Sequence, residues 1–138
     1  MIILDTNVLS EVMRSSPARK VAVWMARQNV RDLFSTAITE AEILLGIALL
    51  PDSRRRDDLK AAARRIFALF ASRVLVFDSA AAQSFAELVS QRRLAGRPIN
   101  DFDARIATIA RSNGMALATR NIADFEGAGI NLIDPWNA

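Results

Sequence analysis

The chain has 138 residues, 51% of them apolar, and a formal charge of +3, which suits one folded globular domain and argues against a disordered chain. It contains no cysteine, histidine or tyrosine, which excludes disulfides, thiolate catalysis, a Ser-His-Asp hydrolase site and the usual ligands of zinc. Any catalysis must rest on carboxylates, hydroxyls, amides, basic side chains or a bound ion, and all-oxygen ligation favours a hard cation, Mg²⁺ or Mn²⁺.

Ile2–Leu4 reads as a short apolar strand that ends abruptly on Asp5, and Thr6–Met13 as the start of a helix. Leu33–Thr36 is a second, weaker strand. Thr39–Leu50 is helical in composition and stops at Pro51, which cannot continue the hydrogen-bond ladder. Ser53–Ala71 predicts a charged amphipathic helix with Leu59, Ile66, Leu69 and Phe70 along one side. Val74–Phe77 predicts a strand and Ser79–Leu94 a helix, with a loop at Gly96-Arg97-Pro98. Asp101–Ser112 predicts a helix closed by Asn113-Gly114, and Met115–Ala118 and Ile130–Ile133 the last strands. Strands separated by helices predict an α/β chain, three layers α/β/α around a central, mostly parallel sheet, in one domain over 1–138. The longest apolar run, Ile43–Leu50, is too short to cross a membrane, and the opening lacks the basic lead of a signal peptide, so the expected location is cytoplasmic.

In open parallel sheets, ligands bind beyond the carboxyl ends of the strands. Asp5 falls at such an end, as does Thr119-Arg120-Asn121. Glu42 and Asp103 lie near helix starts that can face the same crevice. Each acid also has a plain structural reading. Thr39-x-x-Glu42 matches a capping box, Asp103 suits the first turn of a helix, Asp5 can cap the helix that follows it, and Asp124 can occupy a turn. Four carboxylates brought together would repel one another and take up protons. A divalent ion resolves that conflict, lowers the pKa of its bound water and polarises a phosphoryl oxygen.

Several stretches then match a known pattern. The opening Ile3-Leu4-Asp5-Thr6-Asn7 resembles the start of a PIN-domain nuclease. So does Ser35-Thr36-Ala37-Ile38-Thr39-Glu40-Ala41-Glu42, with Gly46 a turn later. Asp103-Ala104-Arg105-Ile106-Ala107 resembles that family's third acidic motif, and Ala118-Thr119-Arg120-Asn121, followed by Asp124-Phe125, its fourth. The order, spacing and length resemble the VapC toxins of bacterial toxin–antitoxin pairs. Asp134-Pro135-Trp136 and Gly46–Leu50 bring the chain nearer the FitB-like subgroup.

The resemblance covers essentially the whole chain. It implies an endoribonuclease using Mg²⁺ or Mn²⁺ held chiefly by Asp5 and Asp103, with Glu42 and a fourth position completing the acidic cluster. That position is Asp124 or Asn121. It also implies an RNA substrate, a homodimer and a cognate VapB-like antitoxin. Thr6, Asn7 and Thr119 either orient water and carboxylates or make turn and cap contacts. Asp101, as helix cap, would leave Asp103 facing inward, and Glu40 is a further acid beside a motif position.

Two other readings stand beside this one. A haloacid-dehalogenase-type phosphatase wants an aspartate two residues after the first, where this chain has Asn7. A catalytically silent PIN-like module binding RNA or protein has little reason to keep mutually repelling acids.

All but two of the 18 basic residues are arginine. Guanidinium groups match phosphate oxygens, although GC-rich coding would enrich arginine too. Arg92, Arg93 and Arg97, ahead of the third acidic motif, are the expected phosphate contacts. Arg54-Arg55-Arg56 and Arg64-Arg65 share one helix and form either a basic stripe for RNA or, the favoured reading, a solvated face paired with Asp57 and Asp58. Trp24, Phe67, Phe70, Phe85 and Leu88 read as core or interface. Trp136 either pins the tail or lines a partner surface.

Overall fold

The computed structural model describes residues 1–138. Five strands, β1 (Ile2–Leu4), β2 (Leu33–Thr36), β3 (Val74–Leu75), β4 (Ala116–Ala118) and β5 (Leu132–Ile133), form one sheet in the order β3-β2-β1-β4-β5. Every neighbouring pair is parallel. Seven helices cover it: α1 (Thr6–Val12), α2 (Arg19–Ala26), α3 (Ala37–Ala48), α4 (Arg54–Leu69), α5 (Ser79–Leu94), α6 (Asp101–Ser112) and α7 (Ile122–Phe125). This is the three-layer α/β/α arrangement expected from the sequence.

The layers follow from side-chain alternation along the two central strands. Ile3 and Leu117 join Ala81, Leu88, Ile106, Ile109 and Phe125 of α5, α6 and α7 in one core. Leu4 and Ala118 point the other way, into a second core with Val8, Leu9, Trp24, Ile43, Ala63 and Phe70 of α1 to α4. A strand covered on both faces is apolar without interruption, which is why Ile2-Ile3-Leu4 shows no polar alternation.

Helix starts are fixed by short polar side chains that accept from otherwise free backbone amides. Ser53 Oγ accepts from Arg56 N, and Asp78 Oδ1 from Ala81 N. Asn100 Oδ1 accepts from Phe102 N at 2.9 Å and Asp103 N at 3.3 Å, so Asn100 caps α6, not Asp101. Gly114, at φ +63°, ends that helix in the left-handed region as Asn113-Gly114 foretold. Helix α3 begins earlier than Thr39 because Thr36 Oγ1 accepts from Thr39 N at 3.0 Å. That start places Glu42 beyond the first turn and removes the capping-box reading.

Two helices had no counterpart in the sequence reading. Helix α2 is anchored by Val21 and Trp24 alone, and α7 is a single turn anchored by Phe125. No helix is long and apolar enough to cross a membrane.

Thr36 is fully buried, so its hydroxyl cannot be replaced by water. Thr36→Ala is expected to cost about 1 kcal/mol in urea denaturation, and Thr36→Ser to restore most of it; equal losses in both variants would assign the effect to packing instead.

Candidate active site

The chain leaves β1 toward β2 and β3 on one side and fills β4 and β5 on the other, so the strand order reverses between β1 and β4. In open parallel sheets such a switch point, beyond the strands' carboxyl ends, is where ligands bind. The two strands end in step: Leu4 pairs with Ala118, and Asp5 N donates to Ala118 O at 2.9 Å. The next residues, Asp5 and Thr119, are therefore adjacent although 114 positions apart, and Thr119 Oγ1 donates to Asp5 Oδ2 at 2.7 Å.

A compact network holds this pair. Asp5 Oδ1 accepts from Thr6 N at 2.7 Å, so Asp5 is both the cap of α1 and a member of the acidic group. Asn7 Nδ2 lies 3.3 Å from Asp5 Oδ2 and 3.3 Å from Thr119 Oγ1. The Asn7 carbonyl accepts from Arg120 N, and Thr119 Oγ1 accepts from Asn121 N. Thr6 then reaches the next acid, donating through Oγ1 to Glu42 Oε1 at 2.8 Å. The buried Thr39 hydroxyl stands behind it, 3.2 Å from that of Thr6 and 3.3 Å from that of Thr36.

Asp103, in the first turn of α6, shares a cavity of about 220 Å³ with Asp124, Asn100, Ile99, Pro98 and Arg92. Asn121 contributes its backbone amide, and its exposed side chain makes no hydrogen bond. Of the two residues considered for the fourth position, Asp124 is the one that lines the cavity with Asp103. Glu40 and the exposed Asp101 take no part in the network.

No three of these acids converge closely enough to form a ready-made ligand set, yet they sense one another. Burial pushes the Asp5 carboxyl up, against the hydrogen bonds from Thr119 and Thr6, and Asp124 adds repulsion. Burial also raises Glu42, opposed by the Thr6 hydroxyl and reinforced by Asp5. Asp103 is pushed up to about 6, by burial first and then by Asp5, Glu42 and Asp124. Mutual repulsion among all-oxygen donors is the condition that a hard divalent cation relieves, so the donor set fits Mg²⁺ or Mn²⁺.

The arginines differ from expectation. Arg92 is a brace: its Nε donates to Arg97 O at 2.7 Å, and its Nη1 to Asp124 O at 3.1 Å and Glu126 O at 3.3 Å. Those bonds tie the end of α5 to the segment carrying Asp124 and occupy much of the guanidinium's capacity, so the residue is not a free phosphate contact. Arg93 lies apart, beside Phe85, Val89 and Leu94.

The expected pairing of α4 arginines with Asp57 and Asp58 does not form; the ion pairs are Arg14–Glu11 and Arg111–Glu87. Instead Arg55 lines a cleft with Thr6 and Glu42. The sequence carried no signal for that placement, because it depends on how α4 folds back along α3. Trp136 packs on the α1–α4 core, with the Arg120 guanidinium 5.1 Å from its ring centre, and so holds the tail beside the fourth motif.

Comparison with known proteins gives a consistent family. The family model described as PIN domain matches residues 2–128. The plasmid stability protein StbB of Pseudomonas syringae pv. tomato is 43% identical over 100% of both chains. The VapC ribonuclease Y4jK of Sinorhizobium fredii is 39% identical, covering 99% of this chain and 98% of its own. Toxin FitB of Neisseria gonorrhoeae is 36% identical over 99% of each. Among solved structures, the crystal structure of FitAcB from Neisseria gonorrhoeae superposes with a TM-score of 0.92 at 35% identity over 100% of both chains.

The raised Asp103 pKa fixes the sign of a stability effect. Between the ordinary 3.8 and about 6, the folded chain holds a proton that the unfolded chain releases, so stability falls as pH rises through that window. In chelator at pH 7.5, Asp103→Asn should raise Tm by about 3 °C, discounted for partial exposure. The gain should shrink as pH falls and disappear below about pH 4; calorimetric scans across pH that show a constant difference would refute the penalty that burial and the neighbouring acids place on the charged Asp103.

Proposed function

The chain belongs to the PIN domain family, and from that premise we propose that it is an Mg²⁺- or Mn²⁺-dependent endoribonuclease, the toxin of a VapBC-type toxin–antitoxin pair. The observation that carries the reading is the placing of Asp5, Glu42, Asp103 and Asp124 within electrostatic reach of one another at the switch point of the sheet. The similarity to a protein named VapC ribonuclease supports the substrate class. The similarity to Toxin FitB supports the toxin role; a VapB-like antitoxin as partner and the cytoplasm as the place of action complete the proposal.

Asp5 and Asp103 would hold the ion chiefly, with Glu42 and Asp124 completing the set. When bound, the ion supplies Lewis acidity toward a phosphoryl oxygen and a lowered pKa for water. The chain's own residues keep the carboxylates aimed. Thr119 and Asn7 fix one oxygen of Asp5, the Thr6 amide fixes the other, and the Thr6 hydroxyl fixes Glu42. The exposed Asn121 side chain would be free to donate to a substrate oxygen. With no histidine in the chain, proton transfers fall to carboxylates and water.

A homodimer is part of the proposal. Leu44, Leu45 and Leu49 leave α3 with 53%, 50% and 76% exposure, an apolar face whose covering by a second copy accounts for it. Light scattering should show a dimer that Leu45→Arg/Leu49→Arg converts to a monomer; an unchanged mass would place the interface elsewhere.

Asp5→Asn retains the polar shape at the cap but removes the charge. It should reduce Mg²⁺-dependent RNA cleavage by about 100-fold or more with the circular dichroism spectrum unchanged. Undiminished cleavage by the folded variant, or wild-type cleavage that persists in chelator, would overturn the metal-dependent nuclease reading.

A further inference from the structure

From Thr6 and Glu42 a groove runs along α1, α3 and α4. It consists of two adjoining clefts that share Met13, Arg55 and Leu59. The first, about 310 Å³, starts at Thr6 and Glu42 and has a floor of Ile43 and Ile47. The second, about 460 Å³, is walled by Arg14, Arg54, Arg55 and Arg65, with Asp58 the one acid on its lining. Arg14 is held by Glu11 at 3.2 Å. The other three guanidinium groups form no ion pair, although Asp57 and Asp58 are on the same helix.

We infer that this groove is the path of the RNA strand away from the cleavage site, with Arg54, Arg55 and Arg65 as its phosphate contacts. The inference rests on the nuclease reading and extends it to the substrate's track. Four acids within electrostatic reach of one another repel a polyanion, so attraction must come from cations close by. Arg55 is the residue that joins the two, lining the same cleft as Glu42. Guanidinium groups suit phosphate oxygens, and the intervening floor of Met13 and Leu59 gives ribose or base faces an apolar surface. Three unpaired arginines against one acid in the second cleft favour a polyanion over a peptide of mixed charge. The second cleft adjoins the one that Glu42 lines, which favours the substrate over an unrelated ligand.

The test measures binding of single-stranded RNA against salt in the Asp5→Asn background. Arg54→Gln/Arg55→Gln/Arg65→Gln is compared with a control of equal charge change on α2, Arg19→Gln/Lys20→Gln/Arg27→Gln. With a slope of about 0.7 per neutralised phosphate on a single strand, the groove variant should flatten the plot of log K against log salt by about 2. It should also weaken binding at least tenfold at low salt, with the control near wild type. Equal losses in both variants would reduce the effect to overall charge and overturn the track. So would unchanged RNA binding in the groove variant, or a loss confined to an acidic peptide. Active-site failure is read separately: wild-type protein without Mg²⁺-dependent cleavage would refute the nuclease reading, whereas normal cleavage with an unaffected groove variant would refute the track alone.

Discussion

The parallel pairing of Leu4 with Ala118 is the contact on which the acidic site depends. It brings the first and fourth strands to an end at one level, so the residues that follow, Asp5 and Thr119, meet at 2.7 Å. Register is strongly fixed here because both strands are covered on both faces. A slip of one residue would exchange the side chains bound for the two cores, putting Leu4 and Ala118 where Ile3 and Leu117 belong. Packing at the centre of the protein thus determines the position of polar groups at its edge.

The site is a compromise between burial and charge. Asp5 is only 3% exposed, a costly place for a carboxylate unless its oxygens are hydrogen-bonded. The Thr6 amide and the Thr119 hydroxyl meet that need. Asp103 has no such support and retains the largest resolved displacement toward the protonated form. Local strain of this kind is common where function demands groups that stability would not choose. Three threonines serve the purpose with economy: Thr36 caps a helix, Thr39 stands behind Thr6, and Thr6 uses its amide for one acid and its hydroxyl for another.

Much of this was legible in the sequence. The strand at Ile2–Leu4 and the helices at Ser79–Leu94 and Asp101–Ser112 carried apolar patterning and end signals that agree with the structure. Helix α2 escaped because only two of its residues are buried, leaving no stripe to read, and α7 because a four-residue helix has no period. Among the acids, local pattern misled at Glu42, whose capping-box spacing came from a threonine three residues too late. The cap of α6 shifted likewise to Asn100. The arginines were hardest, since Arg92's bonds run to backbone carbonyls 32 and 34 positions away. No spacing along the chain reveals such a partner. On α4, neighbours in sequence suggest a paired face or a basic stripe, but no spacing places Arg55 in the cleft that Glu42 lines.

The long loop between Asp5 and Thr119 has a consequence in time. A nascent chain carries Asp5 long before Thr119, whose hydroxyl aims it, and Asp124 have been made. No nascent fragment that ends before them holds the assembled pocket. Assembly of the acidic group thus waits on synthesis of the fourth strand and the segment after it, a delay built into topology.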